Sequence, residues 1–68
     1  MEDIGKKISA LRKKRRMLQS DLAAEVGVSA VAVSNWESGK AVPRASHIHK
    51  LAQVLKCRIS YFFDAKVF

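Results

Sequence analysis

The chain carries few of the groups that build covalent scaffolds or catalytic centres. Cys57 is its one cysteine, which rules out a disulfide within the chain and fits a reducing interior. It has no CxxC pair, no glycine-rich loop to cradle a phosphate and no paired carboxylates for acid–base work. His47 and His49 stand two apart, so on a helix they diverge and cannot chelate one ion well. Cys57 follows Leu55 in an apolar stretch and reads as a small core residue, not a nucleophile. An enzyme is not expected, nor is a cofactor or a metal. No apolar run approaches the roughly 18 residues of a membrane span, and the charged N-terminus lacks the apolar segment of a signal peptide. A cytoplasmic protein is expected. Repeats and low-complexity segments are also missing, and 1–68 reads as a single domain. A chain of this size buries only about 60% of its unfolded surface, so it is marginal alone and a dimer would help.

Acidic residues are scarce as well. Thirteen Lys+Arg stand against six Asp+Glu, a formal net charge of +7. Residues 1–16 carry seven bases and two acids, and 17–68 carry six and four. A basic surface of this kind favours polyanions, although a solvated helix face would look the same by composition alone.

What the chain does have is the stretch Gln19 to Ser38, QSDLAAEVGVSAVAVSNWES. Two short helical patterns meet there at one glycine. Leu22, Ala23 and Val26 share a face of the first; Val33 and Trp36 lie three apart on the second. Helices this short cannot stand alone in water, so they must pack on each other. Ala23 lies where they would cross. Gly27 ends the first helix in the left-handed conformation that glycine adopts freely. Val28 points from the turn into the core, and Ser29 is a good N-cap for the second helix. This is the pattern of a helix-turn-helix, which presents its second helix to the DNA major groove.

Helices surround it. Ile4, Ile8 and Leu11 are spaced for a first helix over about Ile4 to Arg16, with Glu2 and Asp3 near its start and the basic run Arg12 to Arg16 at its end, as the helix dipole favours. Pro43 biases Val42 away from helix, within a loop from Lys40 to Arg44. A fourth helix follows over about Ala45 to Leu55, with Ile48, Leu51, Ala52 and Leu55 inward. Ser60 is the candidate cap of a short fifth. Strand alternation is nowhere convincing, so the expected class is all-α, a compact five-helix domain around one core.

The segments Leu11-Arg12, Gln19, LAAEVGVS (22–29), VSNWESGKAVP (33–43) and LAQVL (51–55) together resemble the lambda-repressor/Cro helix-turn-helix family, also called the XRE family. The resemblance spans about Ile4 to Phe63. It implies a sequence-specific regulator of double-stranded DNA, commonly a repressor, that binds a palindromic operator as a homodimer. By position, it assigns base reading to Ser29, Ala30, Val31, Ser34 and Asn35, with contacts to the DNA backbone at Arg12, Gln19, Ser38, Lys40 and Arg44. It also pairs Arg12 with Glu37. Asparagine can pair two ways with adenine, and an outward Val31 can nest against thymine methyl groups. Arg44 could enter a narrow minor groove. The chain departs from the family pattern at Leu18, which replaces a capping residue, at Ala30, which replaces a polar reader, and at Arg58, where a small cap is usual.

Ile59, Tyr61, Phe62, Phe63, Val67 and Phe68 crowd the last ten residues. Ile59 and Phe62 are the core candidates. Tyr61, Phe63, Val67 and Phe68 are candidates for a two-fold dimer face within 59–68, since aromatics are enriched at interfaces; the alternative is that all pack internally. A rival reading of the whole chain is a DNA-binding antitoxin or adaptor of a two-protein system, whose aromatic C-terminal segment binds a protein partner. No small-molecule ligand or membrane partner is expected.

Overall fold

A computed structural model describes residues 4–63. Val67 and Phe68, expected at a dimer face, and Glu2 and Asp3, expected near the first helix, lie outside the described residues. Among those described there are five helices and no strand: α1 (Ile4–Lys14), α2 (Gln19–Val26), α3 (Ala30–Ser38), α4 (Ala45–Leu55) and α5 (Ile59–Phe62). The expected all-α, five-helix class is the one found. Among the described residues, no helix is long and apolar enough to cross a membrane.

Each boundary has a local cause. Helix α1 stops at Lys14, two residues before the expected Arg16. The chain turns there because Arg16 takes a left-handed φ of 58° and the Met17 N–H donates to the Arg12 carbonyl at 3.1 Å, the closing bond of a Schellman turn. Leu18 supplies no side-chain cap to α2, as expected, but the Leu18 N–H donates to Asp21 Oδ2 at 2.8 Å. Half of a capping box is therefore present, and it offsets part of the loss. Gly27 ends α2 at φ 90°, with its N–H donating to the Ala23 carbonyl. Ser29 caps α3 as expected, accepting the Ala32 N–H on Oγ at 3.1 Å, and Gly39 closes α3 at φ 86°.

The Ser60 expectation is corrected. Arg58 is the N-cap residue of α5, with no side-chain cap bond, and Ser60 lies inside the helix, its carbonyl accepting the Phe63 N–H. Without a side-chain cap, this short helix depends on its tertiary contacts.

The core lies where the apolar stripes converge. Ile8, Leu22, Val33, Leu51 and Leu55 are almost wholly buried. Burying each of these side chains contributes about 1.5–3 kcal/mol. Val26, Trp36, Ile48, Ala52, Phe62 and the small Ala23 complete the core, and Val28 and Ile59 pack against it. Pro43 is buried as well, which pins the loop between α3 and α4. Helix α3 is thus anchored by Val33 and Trp36 beneath, and its opposite face is left outward.

Candidate nucleic-acid interface

The turn between α2 and α3 fixes which residues of α3 face solvent. Val33 and Trp36 are inside, so the first turn of α3 presents the other side. Val31 is 68% exposed, and Ser29 and Ala30 are exposed beside it. Ser34 and Asn35 are half-buried along the same helix. Ser29 has two possible uses: Oγ accepts from the Ala32 N–H, and its hydroxyl hydrogen remains a donor. The Asn35 carbonyl accepts the Lys40 N–H at 2.9 Å, the Ala41 N–H at 3.2 Å and the Ser38 hydroxyl at 3.3 Å. These bonds involve the Asn35 backbone and not its side-chain amide. They fold the segment after α3 back on itself, with Ser38, Lys40 and Arg44 all exposed.

A single carboxylate holds the frame behind this surface. Glu37, near the end of α3, accepts from Arg12 Nε on Oε2 at 2.6 Å and from Arg12 Nη2 on Oε1 at 3.0 Å. Gln19 Nε2, at the start of α2, donates to the same Oε1 at 3.1 Å. Arg12 Nη1 donates to the Met17 carbonyl at 2.7 Å. Side chains of α1, α2 and α3 therefore meet at Glu37, and the start of α2 is fixed against the end of α3. Burial pushes the Glu37 carboxyl up, but the bonds from Arg12, Gln19 and Ser9 and the charge of Arg12 outweigh it and hold the group below its ordinary 4.5. The hydrogen bond to Glu37 raises the Arg12 guanidinium against an opposing burial effect.

The expected Arg12–Glu37 pair is present. Arg12 is buried, and each of its three guanidinium nitrogens donates once within the protein, which leaves a second N–H on Nη1 and on Nη2. It positions the frame. Gln19 uses its amide nitrogen in the frame, and its amide oxygen has no part in that bond. Ser9 had no place in the sequence reading. The signal for it was present, since Gly5, Ser9 and Arg12 recur at helical spacing on α1, a small and polar stripe beside the apolar one.

Lys7 was missed too. It is 6% exposed, and its Nζ donates to the Tyr61 carbonyl at 2.8 Å and sits 5.0 Å from the centre of the Tyr61 ring. Of the C-terminal aromatics, Phe62 is buried as expected, whereas Tyr61 is 40% and Phe63 57% exposed. Cys57 is half-buried against the core; burial pushes its thiol up and Arg15 pulls it part of the way back. His47 lies against Trp36, ring centres 5.3 Å apart. The described residues hold no cluster of three or more His, Cys, Asp or Glu placed to bind a metal.

Comparison with known proteins bears on the same segment. The helix-turn-helix family model matches residues 8–62. The chain is 44% identical over 57 residues to the HTH-type transcriptional repressor RghR of Bacillus subtilis (strain 168), covering 82% of this chain and 42% of that protein. It is 38% identical over 58 residues to Repressor protein C2 of Salmonella phage P22, covering 85% of this chain and 27% of C2. The chain thus spans less than half the length of either repressor. Its fold is similar to the crystal structure of the P22 c2 repressor protein in complex with a synthetic operator, with a TM-score of 0.87 at 35% identity, covering 91% of this chain and 94% of the other.

Proposed function

This chain belongs to the helix-turn-helix family, and we propose that it is a sequence-specific regulator of transcription, a repressor that inserts α3 into the major groove of a palindromic operator as a homodimer. The observation that carries the reading is the outward Val31 at the start of an α3 whose other face is anchored by Val33 and Trp36. A rigid helix that exposes a valine between serine and asparagine suits base edges, with the valine against thymine methyls and Asn35 against adenine. Ser29, Ala30 and Ser34 complete the reading surface. Arg12, Gln19, Ser38, Lys40 and Arg44 take the DNA backbone, helped by the N-terminus of α2 as an anion site. Arg12 acts through Glu37 to hold α2 and α3 in register.

The repressor names of RghR and C2, and the operator duplex in the P22 c2 structure, support the class of target. Exposed Tyr61 and Phe63 support an isologous pairing of two copies. The test is selection from random duplexes at about 150 mM salt, a concentration at which nonspecific phosphate attraction is already weakened. The expected result is a palindrome with half-sites about one helical turn apart, with thymines opposite Val31. Salt-sensitive binding with no enriched motif would overturn the reading and turn attention to a protein partner at the aromatic end.

A further inference from the structure

We propose that a cationic groove between the α1–α2 turn and the C-terminal half of α4 is a second binding surface, which takes an acidic segment of a partner protein that also carries apolar side chains. The groove is open to solvent and offers about 500 Å³. Arg15, Lys50 and Lys56 line it against one acid, Glu25, and Met17 and Val54 supply an apolar part. An adjoining hollow of about 310 Å³ shares Arg15 and Lys56 and adds Lys14 and Leu11. The residues lining the two come from α1, α2, α4 and their flanking turns, with none from α3 or the loop after it. A duplex on the α3 face therefore leaves the groove open.

The backbone gives a second, independent reason. Four described residues have positive φ: Gly27, Gly39, Arg16 and Lys56. Glycine takes that conformation at no steric cost, whereas an L side chain does not. The two positions that keep a side chain both carry a cation; Lys56 lines the groove and Arg16 adjoins it in sequence, between Arg15 and Met17. Retaining charge at a backbone site that prefers glycine points to use of the charge. Helix dipoles alone account for part of the cluster, since Arg15 Nε donates to the Leu55 carbonyl at the end of α4 at 3.1 Å. They do not account for Lys50, which is in the middle of α4.

The apolar part selects the partner. Met17 and Val54 are half-buried and offer a seat for apolar side chains, with methionine able to adapt its shape. A phosphate backbone brings no apolar group to fill it. An acidic amphipathic helix does, with carboxylates toward Lys14, Arg15, Lys50 and Lys56.

The probe is a fluorescein-labelled peptide of glutamate and leucine with the leucines at i, i+3 and i+4 spacing, titrated at about 150 mM salt so that unspecific attraction is screened. The comparison is a polyglutamate peptide of equal charge. The leucine peptide should bind more tightly than polyglutamate, shift the amide resonances of Met17 and Val54, and bind the protein–duplex complex as well as the free protein. Lys50→Glu should weaken it about tenfold, an effect expected for a charge at an interface rim. Lys6→Glu, the same change of charge on an exposed residue outside the groove, should not. Lys56→Gly separates folding from binding: it relieves the left-handed backbone and should raise Tm while weakening the peptide. No binding, equal affinity for polyglutamate, shifts centred on Val31, displacement by duplex, or equal loss in Lys6→Glu would each overturn the proposal. The proposal does not depend on the operator reading, because the probe is read with and without duplex.

Discussion

The α-carbon of Gly5 faces the backbone carbonyl of Trp36 so closely that a Cβ on Gly5 would overlap the Trp36 oxygen and come within 3.1 Å of the Glu37 backbone carbonyl oxygen. Glycine inside α1 is therefore a packing requirement. It lets α1 approach the end of α3, the end that carries Glu37. Alanine at this site would gain up to about 1 kcal/mol of helix propensity. The clash is with backbone, which cannot rotate away, and overpacking of this kind costs about 1–3 kcal/mol. Gly5→Ala should be destabilising despite the propensity gain. A shift of 1 kcal/mol moves Tm by roughly 4–8 °C in a domain this small. Thermal melting checks it, and an unchanged or higher Tm would mean that α1 moves aside freely.

A pH dependence follows from Glu37. Its carboxyl titrates lower in the folded protein than its ordinary 4.5, because Arg12 and Gln19 hold the charged form against burial. A depressed folded value contributes stability that is complete above the unfolded value and is lost as pH falls through the folded one. Stability should therefore decline as pH drops below about 4.5. Urea unfolding between neutral and acid pH should show a shallower decline in Glu37→Gln than in the parent, and parallel curves would rule out Glu37 as the source. Arg12→Ala should be more severe at neutral pH, by about 3–5 kcal/mol, since it leaves a partly buried carboxylate without its ion partner.

These two relationships mark how far the sequence was legible. The turn from α2 to α3 and the span of α4 could be read directly, because Gly27, Ser29 and the apolar spacing act within a few residues of themselves. The outward direction of Val31 followed once Val33 and Trp36 were taken as inward. Gly5 could not be read, since its reason is a carbonyl on another helix. Arg16 hid the end of α1, because a cation in a left-handed turn looks like one more member of a basic run. Lys7 was hidden by its charge, which is ordinarily taken for solvent exposure. Ser60 misled for a different reason: serine favours caps, but Ile59 and Phe62 must both reach the core, and that sets the start of α5 at Arg58.

Val31→Ala tests base reading. The valine makes no core contact that its removal would disturb, being 68% exposed. Its loss should weaken binding to the selected operator by about 1–3 kcal/mol, the scale of one lost base contact, and leave binding to random duplex nearly unchanged. Titration of both duplexes decides it. Equal losses on the two would remove the thymine-methyl role.

Lys40→Ala tests the other half of the surface. Lys40 is exposed, just beyond α3, where its N–H is held by the Asn35 carbonyl. A phosphate ligand contributes to all sequences alike and releases a counterion when it binds. Affinity should fall on operator and random duplex together, and the slope of log affinity against log salt should flatten by about one unit. A slope equal to that of the parent protein would take Lys40 out of the phosphate set.

Lys7→Met addresses what holds α5. The helix is four residues long and has no side-chain cap at Arg58, so little local energy supports it. Its support is tertiary: Ile59 and Phe62 pack on the core, and the Lys7 ammonium donates to the Tyr61 carbonyl. Hydrogen bonds to charged groups contribute about 1.5–3 kcal/mol, and methionine keeps the apolar stem without the donor. The variant should lose stability within that range, and its hydrogen-exchange protection should fall at Phe63, whose N–H closes α5 on Ser60. The amides of α3 should exchange as before at conditions where the domain stays folded. If two copies pair through Tyr61 and Phe63, the same variant should dissociate at higher concentration than the parent, because Lys7 fixes the backbone from which both rings project. Unaltered exchange at Phe63 would mean that Ile59 and Phe62 anchor α5 without Lys7, and the weakened pairing would then not be expected.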